Sequence, residues 1–298
     1  MDKFFDFELT GQLLNLDFVQ KALLAAAILA LVAGLIGPLI VMRRMAFAVH
    51  GTSELAFTGA AGALLLGLGI EAGALAGAVI AALLLGLLGG RESDRDSVIG
   101  VILSFGLGLG VLFLWFYPGR AANKFGLLIG QAVTVDSTNL SVFAWAAAGV
   151  VVVLAVIYRP LLFASVDLAV AKARGVPVAT LTVVFTVLVG VTTALGVRTV
   201  GSLLVLALLV TPAAAASRVA TSPLVVTALS VLFAEIAAVG GIVLSLAPGA
   251  PSSAFVTGFA FVIYLGCRLI AFLRDRTGNR AEKDTRPSPR EHDTTLVG

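Results

Sequence analysis

The chain has 298 residues, 59% of them hydrophobic and only 12% charged, with a net charge of +3 and a mean hydropathy of +1.06. A soluble domain carries about 25% charged residues, so this composition excludes a chain that covers itself with a water-facing surface. Apolar runs of about 18 residues or more, continuous rather than alternating with a period of two, exclude an outer-membrane barrel. They predict an all-α, polytopic transmembrane helical bundle of about eight to nine spans.

In chain order, MDKFFDFELTGQLLNLDF is acidic and amphipathic, unlike the basic start of a cleaved signal peptide. Residues 1–17 therefore read as an interfacial segment with Phe4, Phe5, Phe7 and Leu14 toward lipid. A transmembrane domain over 18–273 follows, with spans at 18–42, 47–68, 70–90, 97–117, 140–158, 179–197, 199–217, 223–247 and 253–273. The span at 199–217 is crowded by its neighbours and reads as broken or partly re-entrant. Glycine is dense in LLLGLGIEAGALAGAVIAALLLG, where small residues let membrane helices approach closely. The tail over 274–298 mixes charges, lacks apolar anchors and is expected to be disordered on the cytoplasmic side.

Basic residues fall on alternate connections: Arg43-Arg44, Arg91 and Arg95, Arg159 with Lys172 and Arg174, Arg218, and the residues from Arg268 onward. Positive charge marks the cytoplasmic side, which puts the N-terminus, 118–139 and 248–252 outside. Arg120, Lys124 and Arg198 run against this pattern. The aromatic residues are not interleaved with basic ones, so nothing points to nucleic acid. A lone cysteine, Cys267, excludes a disulfide framework or a thiolate metal cluster within one chain. No GxxxxGK[ST] phosphate loop occurs, and no HExxH, GxSxG or paired-Asp signature lies in the spans. An energised transporter would take its motor from another chain.

Three stretches break the apolar pattern. In the second span His50 and Glu54 are spaced i, i+4 and share one helix face. At about 1.5 Å per residue from Arg44 they lie about 9 Å and about 15 Å into the membrane. Half the hydrocarbon thickness is about 15 Å, which puts Glu54 near the midplane, where an ionisable residue points to function. Imidazole with carboxylate suits a divalent transition metal such as Mn, Fe or Zn. The bland alternative is a hydrogen-bonded pair that pins two helices. Glu235 is a second lone intramembrane carboxylate; it either completes the His50/Glu54 site or faces a polar neighbour such as Thr192 or Thr193, the structural role being favoured. Pro212, in LVTPAAAASRVA, kinks a helix and frees a carbonyl. Between the fifth and sixth spans, within 159–178, the stretch SVDLAVAKARGVP (Ser165–Pro177) is too short and polar to span. It reads as a surface helix closed by Gly175, either an ordinary loop helix or a grip for a soluble partner.

RRMAFAVHGTSELAF, then VDLAVAKARGVPV, then VRTVGSLLVLALLVTPAAAA together resemble the permease subunit of zinc, manganese and iron ABC importers. The resemblance runs from about Leu31 to Leu265, and VGSLLVLALLVTPAAAA is its most specific part. It implies a permease homodimer in the prokaryotic plasma membrane, driven by cytoplasmic ABC ATPase subunits and fed by an extracytoplasmic metal-binding lipoprotein or periplasmic protein. It also implies that Ser165–Pro177 is a coupling helix, with Asp167, Lys172, Arg174 and Gly175 on the ATPase. No permanent cofactor is implied; the divalent metal is cargo. The chain departs from the family at one place. Where relatives commonly have Asp and then His four residues on, this chain has His50 and then Glu54, so ligand types are kept and their order changed. Rival expectations are an ion-gradient-driven secondary metal transporter and an importer permease for a metal chelate.

Overall fold

Backbone polar groups in hydrocarbon have no water to bond, so a chain this apolar must satisfy them within helices. The structure, a computed structural model, describes residues 7–88, 92–119, 137–199 and 205–285. Its helices are α1 (Phe7–Leu14), α2 (Asp17–Met42), α3 (Ala46–Leu65), α4 (Ile70–Leu88), α5 (Glu92–Phe116), α6 (Ser137–Val166), α7 (Leu168–Ala173), α8 (Val178–Thr199), α9 (Val205–Val219), α10 (Pro223–Leu246) and α11 (Ser252–Thr285). Among the described residues, six stretches are long and apolar enough to cross a membrane: Asp17–Met42, Asp96–Phe116, Leu140–Val166, Val178–Val197, Pro223–Leu246 and Ser252–Arg274. Ile70–Leu85 and Val205–Val219 are shorter apolar helices. The 20 residues of α3 reach about 30 Å, the thickness of the hydrocarbon core, while burying Thr52, Ser53, Glu54 and Thr58.

Three boundaries differ from those read in the sequence. Helix α6 continues through Arg159 and Pro160 to Val166, because Leu161 and Ala164 beyond the proline are buried and hold that turn against the bundle. The polar connection is thereby reduced to α7 and its caps. The span expected at 199–217 is a 15-residue helix, α9, about 22 Å long and so shorter than the hydrocarbon core; residues 200–204 lie outside the described set. Helix α11 carries helical backbone past Arg274 to Thr285, where the sequence places the start of the tail. Phe4 and Phe5, residues 120–136 and those beyond Thr285 also lie outside the described residues.

Helix α3 sits among α4, α5 and α8, while α2 packs on α6, α9 and α10, and α11 lies against α9 and α10. Glycine permits the tightest of these contacts. A β-carbon on Gly77 of α4 would collide with the Leu55 carbonyl of α3, and one on Gly59 with the Gly73 carbonyl. On α2, a β-carbon at Gly37 would stand 2.6 Å from the Leu209 carbonyl of α9. Backbone thus touches backbone, the arrangement by which apolar helices associate where lipid competes for every side chain. Overpacking costs about 1–3 kcal/mol, so Gly77→Ala should lower thermal stability of the solubilised protein. Gly108 of α5 has no neighbour within 4 Å of the added methyl, and Gly108→Ala should match or exceed wild type. Equal losses at the two positions would contradict this packing.

The helix ends sort by side. Arg43, which caps α2, donates from Nη2 to Thr182 Oγ1 at 2.7 Å and from Nη1 to Ser165 Oγ at 3.3 Å. The end of α2, the end of α6 and the start of α8 therefore meet. Arg274 Nη1 donates to the Val219 carbonyl at 3.4 Å, joining the end of α9 to α11. These are the connections that the basic residues mark, the ones the positive-inside rule expects on the cytoplasmic side. In a Cys267→Ser background, a cysteine at exposed Lys172 should react with a membrane-impermeant thiol reagent only from the cytoplasmic side. One at Ser252 should react only from the outside; labelling of both from one side contradicts the topology.

Candidate functional site

The site begins with the turn that launches α3. The Met45 N–H bonds the Ile40 carbonyl at 2.9 Å and the Arg44 N–H the Val41 carbonyl at 3.1 Å, the paired bonds that close a helix through one left-handed residue. That residue is Arg44, at φ 53°. The same closure is made at Gly67 and Gly175, with φ of 71° and 76°. A side chain in this region is uncommon, so the α2–α3 turn is held by its surroundings, with Met45 buried beneath it. Helix α3 follows with no intervening slack.

His50, Glu54 and Thr58 then recur at i, i+4 on one face of α3. The Thr58 hydroxyl lies 2.8 Å from the Glu54 carbonyl and 2.5 Å from the Gly106 carbonyl of α5. A β-carbon on Gly106 would stand 3.4 Å from the Glu54 carbonyl carbon. Helix α5 is thus drawn against α3 at the level of the carboxylate. Glu54 is 1% exposed, and among the described residues its Oε2 has no hydrogen-bond partner; the same holds for buried Nδ1 of His50. Buried polar atoms are almost always paired, and leaving a charged one unpaired costs more than any neutral group. A carboxylate oxygen and an imidazole nitrogen, both unpaired on one helix face, are a donor set for a borderline divalent cation.

The other expected ligand stands apart. Glu235 lies on α10, which packs on α2, α9 and α11, whereas α3 packs chiefly on α4, α5 and α8. Among the described residues no three His, Cys, Asp or Glu side chains converge to hold a metal, so Glu235 does not complete the His50/Glu54 pair in this conformation. Nor do Thr192 and Thr193 serve Glu235: they sit on α8 and donate to the Leu188 and Val189 carbonyls, at 2.8 and 2.7 Å.

The stretch Ser165–Pro177 forms α7, six residues long. Asp167 caps it, its Oδ1 accepting from the Val170 N–H at 2.9 Å, which satisfies a donor the first turn leaves open. Arg174 is the C-cap and Gly175 the left-handed residue that ends it. Ala171 is fully buried against the bundle, while Val166, Leu168 and Val170 are 71%, 49% and 41% exposed. Lys172 and Arg174 are exposed beside them. This element and its approach therefore expose apolar side chains and cations together. Asp167, Lys172, Arg174 and Gly175 all belong to this one element.

Two features were not legible as site residues. Arg43 reads in sequence only as a marker of orientation, yet it bonds Ser165 and Thr182 and lies 5.6 Å over the ring of Phe185. Ser230 of α10 is fully buried, its hydroxyl unpaired among the described residues, which a single Ser in an apolar helix does not announce.

Comparison with known proteins agrees with this architecture. The manganese transport system membrane protein MntC of Halalkalibacterium halodurans is 29% identical over 278 residues, covering 91% of this chain and 95% of that one. The high-affinity zinc uptake system membrane protein ZnuB of Haemophilus influenzae is 26% identical over 84% of this chain and 97% of its own. Among solved structures, PsaBC of Streptococcus pneumoniae in complex with Fab superposes with a TM-score of 0.79 at 27% identity, covering 87% of this chain and 94% of that one. Residues 15–271 match the ABC 3 transport family, and the chain belongs to that family of membrane-embedded transport subunits.

Proposed function

We propose that this chain is the permease of an ABC importer that carries a bare divalent transition metal ion, Mn, Zn or Fe, into the cell by alternating access. The observation that carries the reading is the pair of buried ligand atoms, His50 Nδ1 and Glu54 Oε2, unpartnered among the described residues and one turn apart in the first half of α3. Two protein ligands leave most of the ion's coordination to water or to a second element. That suits a conduit, which has to release what it accepts. The names of similar proteins, manganese and zinc uptake subunits, point to the same cargo class. In this reading the permease is a homodimer, α7 docks a cytoplasmic ABC ATPase, and a lipoprotein or periplasmic metal-binding protein delivers the ion from outside. Glu235 is a packing residue rather than a ligand. In this reading the metal is substrate rather than a resident cofactor.

The test is uptake into lipid vesicles containing the permease with its ATPase subunit, with the divalent ion supplied on the outer side. Uptake should require ATP and vanish when the ATPase is omitted. Uptake driven by an ion gradient alone would overturn the reading in favour of a secondary transporter. Uptake of a chelate in preference to the free ion would overturn the cargo.

A further inference from the structure

We propose that Arg43 is the tie that transmits movement of the ATPase-facing helix α7 to the His50/Glu54 face of α3. The inference rests on the docking of an ATPase at α7 proposed above. Among the described residues, the main packing of helix α7 is on the helices either side of it in the chain, α6 and α8. Movement imposed on α7 therefore enters the bundle through the last turn of α6 and the first turns of α8. Arg43 grips both. Its two terminal nitrogens reach Ser165, in the last turn of α6, and Thr182, in the first turns of α8.

The hydroxyls are set to receive it. Ser165 Oγ donates its proton to the Leu161 carbonyl at 2.6 Å, and Thr182 Oγ1 donates to the Val178 carbonyl at 2.9 Å. A hydroxyl has one proton and two lone pairs, so each presents lone pairs to the guanidinium and neither competes as a donor. The planar fork of Arg fits two acceptors at once, which a Lys ammonium on its flexible stem does not reproduce. Fully buried Phe185 of α8 supplies a third contact beneath the cation. On its other side Arg43 is the C-cap of α2, joined to α3 through the closed turn at Arg44 and buried Met45. His50 lies about 10 Å further along the chain. Direct packing of α8 on α3 offers a second route, and the experiment separates the two.

The experiment uses the permease–ATPase complex in lipid vesicles, in a Cys267→Ser background. Spin labels at exposed Phe47 of α3 and Leu224 of α10 report movement of α3; labels at exposed Ala173 and Leu224 report movement of α7. Binding of a non-hydrolysable ATP analogue should shift both distances in the otherwise wild-type complex. In R43Q, and in S165A/T182V, which keeps Arg43, the Ala173 distance should still shift while the Phe47 distance does not. Manganese ions carried per ATP hydrolysed should fall at least tenfold in both variants, with equilibrium manganese binding to the permease within twofold of wild type. The combined triple variant should be no worse than R43Q alone, because all three groups serve one tie. A nucleotide-driven shift at Phe47 that persists in S165A/T182V, or that is absent in wild type, overturns the proposal. A wild-type complex that carries no metal but shows an Arg43-dependent shift at Phe47 overturns the proposed cargo and leaves the tie standing.

Discussion

Glu54→Gln should reduce metal uptake by about 100-fold or more in a complex that still inserts, assembles with its ATPase and hydrolyses ATP. The substitution keeps the size and one oxygen ligand and removes only the charge. A divalent cation that leaves water for the buried face of α3 loses hydration that neutral ligands replace only in part, and a fixed negative charge offsets much of the rest. Removing one partner of a buried charge pair costs about 3–5 kcal/mol, and about 1.4 kcal/mol corresponds to tenfold. His50→Ala should act in the same direction by deleting the imidazole nitrogen. The paired control is Glu235→Gln, where α10 packs away from α3 and uptake should stay near wild type. Initial rates measured separately with Mn, Zn and Fe decide the matter; wild-type rates in His50→Ala and Glu54→Gln would reduce the pair to helix packing.

Ala171→Pro should be as damaging by a different route. Ala171 is the buried centre of α7, its N–H bonded to the Asp167 carbonyl and its carbonyl to the Val176 N–H, both at 3.1 Å. Proline removes the first bond and its ring clashes with the preceding turn, at a cost of about 3 kcal/mol or more. A helix of six residues has no reserve to absorb that. The exposed surface around Leu168 and Val170 then loses its shape while α6 and α8 remain embedded. Uptake should fall about 100-fold, ATPase co-purification should weaken, and the permease should remain folded by gel filtration. Charge reversal at Asp167 or Arg174 should give smaller losses in the same direction. Uptake that persists in Ala171→Pro would separate α7 from energy coupling.

Much of this arrangement is legible in the residues, for identifiable reasons. Long apolar runs fix the spans because hydrocarbon leaves the backbone no alternative to a helix. Polar residues among them stand out because each is costly, which is why His50, Glu54 and the Asp167–Gly175 stretch can be singled out unaided. Lateral relations are less legible. Glu235 lies at a depth similar to that of Glu54, yet depth says nothing of which helices adjoin it, and α10 turns out to pack on α2, α9 and α11. The same gap hides Arg43, whose partners Ser165 and Thr182 lie more than a hundred positions along the chain. The fifth span shows the converse: expected to close at residue 158, it runs on through Pro160 to Val166, with Leu161 and Ala164 buried beyond the proline. The left-handed Arg44 has no sequence signal either, since Gly67 and Gly175 occupy the equivalent positions of the other two turns.

The central claim is that His50 and Glu54 bind the transported ion directly. Pulsed electron paramagnetic resonance of Mn²⁺ bound to the purified permease reads this without reference to transport, because a coordinated imidazole imprints nitrogen modulation on the manganese signal. The account predicts nitrogen modulation in the wild-type and Glu235→Gln proteins, its loss in His50→Ala, and weakened manganese binding in Glu54→Gln. Modulation that survives unchanged in His50→Ala would contradict it.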